Sequence, residues 1–128
     1  LMVLLSTVAF ATANNGEALL KECTAYIQLK DNIRNEDGEK ANSTDANSCL
    51  NYMYGVVDVL YYYIPFYILE KKDLRDKATH NICLPEKFDI DDAIRVVVDY
   101  LENHPDDLAW HKMGLILPAL QEEFPCTD

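Results

Sequence analysis

Apolar residues recur at three- and four-residue intervals along four stretches of this chain, the spacing of one face of an α-helix. Leu19, Cys23, Tyr26, Ile27 and Lys30 fall in register on the first, with Asn14 or Asn15 placed to cap it and Glu17 at its positive end. This pattern predicts a helix over 16–34. Cys49, Tyr52, Met53, Val56, Leu60 and Tyr63 form the second stripe, on a helix starting between Asp45 and Ser48 and ending near Tyr63. Gly55 weakens that helix by about 1 kcal/mol relative to alanine and leaves room for another backbone to come close. Ile90, Ile94, Val97, Val98 and Leu101 form the third, capped by Asp89, with Asp91 and Asp92 in its first turn and its end near Asn103. Pro105 opens the fourth at a first-turn position, with Asp106 and Asp107 behind it. Leu108, Met113, Ile116, Leu117, Leu120 and Phe124 continue its pattern; Pro118 is expected to kink it and Pro125 to stop it. Val96-Val97-Val98 is the one β-branched run, and no strand signal of useful length emerges.

Two connections interrupt this regularity. Residues 31–47 have no apolar period and hold five acidic against two basic side chains; Glu36-Asp37-Gly38-Glu39 forms the expected tip, where Gly38 permits a positive φ. Residues 70–88 are charged and irregular. Between the second helix and that connection lies Tyr61-Tyr62-Tyr63-Ile64-Pro65-Phe66-Tyr67, which is apolar on every side. Such a run reads either as a fully buried helix or as a surface covered by a second copy of the chain, with Tyr62, Phe66 and Tyr67 as the dimer contacts.

The 128 residues suit one domain. Residues 1–13, LMVLLSTVAFATA, are too short to span a bilayer and end in an A-x-A cleavage pattern; without a positive n-region they read as the remnant of a signal peptide, or else as a short buried helix. On the first reading the mature chain is a single helical domain over 14–128, exported and carrying no membrane-inserting segment. A net charge of −11 argues against nucleic acid and anionic lipid, and favours solubility and basic partners.

Export changes the meaning of the four cysteines, Cys23, Cys49, Cys83 and Cys126. None lies close enough to another for a C-x-x-C motif, and each sits near a helix edge, so they read as two structural disulfides formed in an oxidising compartment. A short turn between the third and fourth helices makes those helices antiparallel. Cys83, ahead of the third, then meets Cys126, behind the fourth, which leaves Cys23 for Cys49. Crossed pairs and free buried thiols are the alternatives. Each bridge is worth roughly 3–4 kcal/mol in the chain-entropy model. The resulting fold is all-α: a compact bundle of about four main helices stapled by two disulfides.

Catalytic chemistry finds no anchor. His80, His104 and His111 make no metal-binding spacing, and His104, before Pro105, suits a capping role. Bridged cysteines supply no nucleophile, and neither G-x-S-x-G nor a phosphate loop occurs, so no catalytic residue, metal ligand or cofactor site is assigned. The aspartate pairs sit where helix N-termini favour negative charge. Asp58, inside the second helix, is expected to be a partly buried packing group. Asn42-Ser43-Thr44 fits a glycosylation sequon.

The order of the ordered elements is itself informative. Cys49-Leu50-Asn51-Tyr52-Met53-Tyr54-Gly55-Val56-Val57-Asp58, then Cys83-Leu84-Pro85, then Val98-Asp99-Tyr100-Leu101-Glu102-Asn103-His104-Pro105, then Ala119-Leu120 and a closing Phe124-Pro125-Cys126 together resemble the Tai/Rap immunity proteins of type VI secretion, over roughly residues 17–126. The resemblance implies a helical, often dimeric, non-enzymatic periplasmic protein that neutralises a peptidoglycan amidase toxin. It also implies that this toxin is a papain-like cysteine amidase, blocked by occlusion of its active-site cleft. Glu36, Asp37 and Glu39 are the expected partner-binding residues, steering toward or plugging a basic cleft; the alternative for them is a mobile, solvated loop. The alternative is an acid-stress periplasmic chaperone of similar small, disulfide-stapled helical build, exposing its aromatic run when its 22 acidic residues protonate.

Overall fold

Three short polar side chains set where helices begin. Asn15 Oδ1 accepts the Ala18 N–H at 3.0 Å, Asn42 Oδ1 accepts those of Thr44 and Asp45 at 2.8 and 3.2 Å, and Asp89 Oδ1 accepts that of Asp91 at 3.0 Å. In the computed structural model, which describes residues 14–60 and 82–126, these caps open α1 (Gly16–Lys30), α2 (Ser43–Asp58) and α3 (Ile90–Asn103). A single 3₁₀ turn (Pro105–Asp107) then leads to α4 (Lys112–Glu123).

Three boundaries differ from the pattern-based expectation. α1 stops at Lys30 rather than residue 34, because Asn32 adopts a positive φ of 55°. The Ile33 N–H then reaches back to Gln28 O and the Asn32 N–H to Leu29 O, a Schellman closure in which asparagine tolerates the left-handed position. α2 starts at Ser43, ahead of the expected 45–48, since the sequon asparagine itself is the cap. The fourth helix does not open at Pro105 as one piece. Leu108 O accepts the Glu17 N–H and Trp110 O accepts the Gly16 N–H, at 3.0 and 2.9 Å. The chain breaks its own helix here to satisfy the unpaired N–H groups of α1. α4 restarts with His111 as cap, its Nδ1 accepting the Met113 N–H at 3.1 Å, and runs continuously through Pro118.

The apolar stripes meet in one core. Leu19, Cys23, Cys49, Met53, Ile94, Val97, Leu101, Leu115, Ile116 and Leu120 are buried, and Ile82 joins the same cluster. α1 lies along α2 and α4 packs on α3, with α3 also touching both helices of the first pair. Two disulfides close the pairs as expected: Cys23–Cys49 and Cys83–Cys126, with Cα separations of 5.0 and 4.9 Å. The first is wholly inside the core, whereas Cys83 is exposed. Beside the second, the Cys83 N–H donates to Phe124 O at 2.8 Å and the Phe88 and Phe124 rings meet edge to face at 5.4 Å, so the entry of α3 sits against the exit of α4. Gly16 is required by close approach: a Cβ there would collide with Leu115 Cδ1 and press on the Leu108 backbone at 3.1 Å.

Gly55 and Asp58 are corrections. A Cβ added at Gly55 meets nothing within 4 Å, so no described backbone approaches it. Asp58 is exposed, not a buried packing group, because it lies on the side of α2 opposite Met53 and Val56. The apolar run 1–13 and the dimer residues Tyr62, Phe66 and Tyr67 lie outside the described residues.

Candidate protein-binding surface

The acidic connection between α1 and α2 is built as a clasped turn. Gly38, at φ 77°, reverses the chain, and its N–H donates to Asn35 O at 2.9 Å. The Asn35 side chain closes the turn by accepting the Glu39 N–H at 2.8 Å and donating to Glu39 Oε2 at 3.3 Å. Arg34 donates to Gly38 O at 2.9 Å from the outside. Glu36, Asp37 and Glu39 are thereby brought together on one exposed tip.

An arginine fork holds the root of that turn. Arg95 of α3 grips both carboxylate oxygens of Asp31, at 2.7 and 2.9 Å, and reaches Asp91 Oδ2 at 2.9 Å through its Nε. Hydrogen bonding from the guanidinium holds the Asp31 carboxyl below its usual value, and the same bonds raise Arg95. Nearby Tyr26 is pushed up, first by burial and then by the negative charge of Asp91. Among the described residues, Asp91 Oδ1 is buried without a hydrogen-bond partner. Thus Asp91 is more than a first-turn charge: it aims Arg95 at the loop.

Lys112 is the residue that pattern reading misses. It is 4 % exposed at the start of α4. Its Nζ donates to Glu22 Oε2 of α1 at 3.0 Å and lies 4.9 Å from the centre of the Tyr52 ring of α2. Burial alone raises the Tyr52 hydroxyl pKa. One cation therefore ties three helices together beneath the surface. Its only mark in the sequence is a lysine at the first residue after a cap, where basic charge opposes the helix dipole.

Among the described residues, two shallow grooves stand out on the surface. One, of about 480 Å³, runs between α1 and the start of α2, past Leu20, Ala25 and Ala41, with Lys21 and Asp45 paired at 3.9 Å beside it. The other, of about 320 Å³, lies between α3 and α4. Its lining includes Tyr100 stacked on His104, with ring centres 3.9 Å apart. His104 Nδ1 is 2.7 Å from Tyr100 O, which confirms its expected role at a helix end. Trp110, 58 % exposed, and Tyr54, 48 % exposed, are the largest rings left uncovered among the described residues.

All four cysteines are disulfide-bonded. Among the described residues, no group of three or more His, Cys, Asp or Glu side chains is placed to hold a metal ion. Within the same residues, no helix is long and apolar enough to cross a membrane. What the described structure does offer is surface: a clasped acidic turn and two grooves.

A family model described as Rap1a immunity proteins matches residues 15–126. That span begins at the Asn15 cap of α1 and ends at Cys126 of the second disulfide, so it takes in the whole stapled fold. No curated protein and no solved structure matches the chain. With so much of its length matched, the chain belongs to the Rap1a family of immunity proteins.

Proposed function

We propose that this protein acts in the periplasm and neutralises a peptidoglycan amidase delivered by type VI secretion, by covering the amidase's active-site cleft. The observation that carries the reading is the family assignment of the entire fold. The clasped turn gives it a physical means: Glu36, Asp37 and Glu39 project from a turn tied down at Asn35 and Asp31, so little ordering entropy remains to be lost on binding. Both cysteine pairs are oxidised, which suits an exported protein. Stable occlusion calls for a buried interface of about 1,600 Å². Tyr62, Phe66 and Tyr67 are assigned to a homodimer contact, which sedimentation at high concentration tests: a monomer there removes the dimer. The family assignment favours toxin neutralisation over an acid-stress chaperone.

The test is a titration of purified amidase from the neighbouring reading frame, reading peptidoglycan hydrolysis. Activity should fall linearly and vanish near equivalence. Replacing Glu36, Asp37 and Glu39 together with alanine should slow association by about tenfold at low salt, with a smaller effect at high salt. Unchanged association in that variant would remove the turn from the mechanism.

A further inference from the structure

The start of α1 holds a reactive pair that the fold keeps in check. Asn15-Gly16 is the one Asn-Gly pair in the sequence. In such a pair the backbone nitrogen after asparagine can attack the side-chain amide, because glycine has no Cβ to hinder it. Both residues are fixed by other demands. A Cβ at Gly16 would press on the Leu108 backbone at 3.1 Å, and Asn15 Oδ1 caps the helix by accepting the Ala18 N–H at 3.0 Å. Three restraints oppose the attack in the folded chain. The Gly16 N–H is held as a donor to Trp110 O at 2.9 Å. Ring closure requires the Cα–Cβ bond of Asn15 to eclipse the following C–N bond, whereas at ψ 174° the two are staggered. Gly16 is also buried, which keeps water from taking its proton. Rotation at Asn15 is blocked on either side, since Asn14 O accepts the Lys112 N–H at 2.9 Å and Leu108 O accepts that of Glu17 at 3.0 Å.

We propose that Asn15 is a latent self-modification site, inert in the folded protein and deamidated once the start of α1 comes loose. The Gly16 nitrogen gives its proton to solvent and bonds to Asn15 Cγ. The Cγ–Nδ2 bond breaks, and ammonia leaves with a proton taken back from solvent, so a succinimide ring forms. One water then opens the ring. Breaking the new bond from nitrogen to Cγ gives aspartate, and breaking the original peptide bond gives isoaspartate. In sum one water is consumed and one ammonia released, with no change of oxidation state. The two products act differently on the fold. Aspartate caps a helix as asparagine does, and its charge suits the helix start. Isoaspartate routes the main chain through Cβ and adds one carbon between the Asn14 carbonyl and the Gly16 N–H. Those two groups pair with the Lys112 N–H and Trp110 O around the Asn15–His111 bridge, and the longer chain cannot keep both bonds. Opening at the start of α1 is thereby recorded in the covalent chain, and isoaspartyl chains do not re-form the native start of α1.

The test needs no partner and is independent of the function proposed above. Purified full-length protein is incubated at neutral pH in two forms, native with both disulfides intact, and reduced in guanidinium chloride. Peptide mass spectrometry follows the amide-to-acid conversion of Asn15, with fragmentation separating it from Asn14. Conversion should be at least about a hundredfold slower in the native protein, where reaction is confined to the small opened fraction. Comparable rates in the two forms would overturn the proposal. The aged, unfolded chains are then reoxidised, and the refolded fraction is isolated and digested with an aspartate-specific protease, which isoaspartate resists. That fraction should retain aspartate at position 15 and exclude isoaspartate. Isoaspartate recovered there in its starting proportion would overturn the claim that it blocks refolding. Asn15→Asp, made directly, should fold with an unchanged Tm. A misfolded Asn15→Asp would overturn the distinction drawn between the two products.

Discussion

Lys112 shows how much one side chain decides in so small a core. Removing its charge alone, as in Lys112→Met, leaves Glu22 facing a mostly buried gap, and should lower stability by about 3 kcal/mol. The double change Lys112→Met/Glu22→Gln should recover most of that loss, because the pair is costly to bury as well as favourable to form. Urea unfolding of the two variants distinguishes this from simple loss of packing, which the second change would not repair. Asp31 gives a second test at this scale. Its folded-state pKa is lowered, so its contribution is present above the unfolded value near 3.8 and is lost only as pH falls through the lower folded value. Amide exchange in residues 31–39 should therefore stay slow from neutral pH down to about pH 4 and quicken in stronger acid. Quickening near pH 6 would mean the arginine fork is not what holds the turn. Neither residue was legible beforehand. A lysine just after a cap carries no apolar period, and the partner of Asp31 lies on a helix 64 residues away.

At the scale of elements, the sequence was a good guide wherever a stripe of branched apolar residues coincided with a capping side chain. α3 is the clearest case: Asp89 caps it, and Ile94, Val97, Val98 and Leu101 are buried as their spacing required. The disulfide pairing was also legible, since antiparallel α3 and α4 leave Cys83 and Cys126 side by side. The break between Pro105 and Lys112 was not. It exists because the carbonyls of Leu108 and Trp110 serve the start of α1, a tertiary demand that no local pattern records. The two bridges should differ in behaviour. Cys23–Cys49 is sealed in the core, while Cys83 faces solvent. A mild thiol reductant under native conditions should open Cys83–Cys126 first and leave Cys23–Cys49 intact until the chain unfolds. Mass spectrometry of alkylated protein reads the order, and simultaneous opening would contradict the burial argument. With sequence separations of 26 and 43 residues, loss of either bridge should lower stability by about 3–4 kcal/mol.

For the whole molecule, the family could be read from the order of its cysteine-, aromatic- and proline-bearing segments, and the match over residues 15–126 bears that out. The acidic tip was legible as composition, but not as a clasped turn, because the clasp depends on Asn35 and on an arginine far along the chain. The α3–α4 groove was not legible in the sequence, because its walls come from two helices that only the fold brings together. The net charge of −11 makes approach of a basic partner fast and salt-sensitive, while the buried bridge keeps the surface in one shape. The central claim is that this surface shuts a toxin's active site. A thiol-reactive probe of the catalytic cysteine that the resemblance implies for the proposed amidase partner tests it most directly. In the complex that cysteine should be protected, labelling slowly and only as fast as the complex dissociates. Labelling at the rate of the free enzyme, within a complex shown to be intact, would contradict the account.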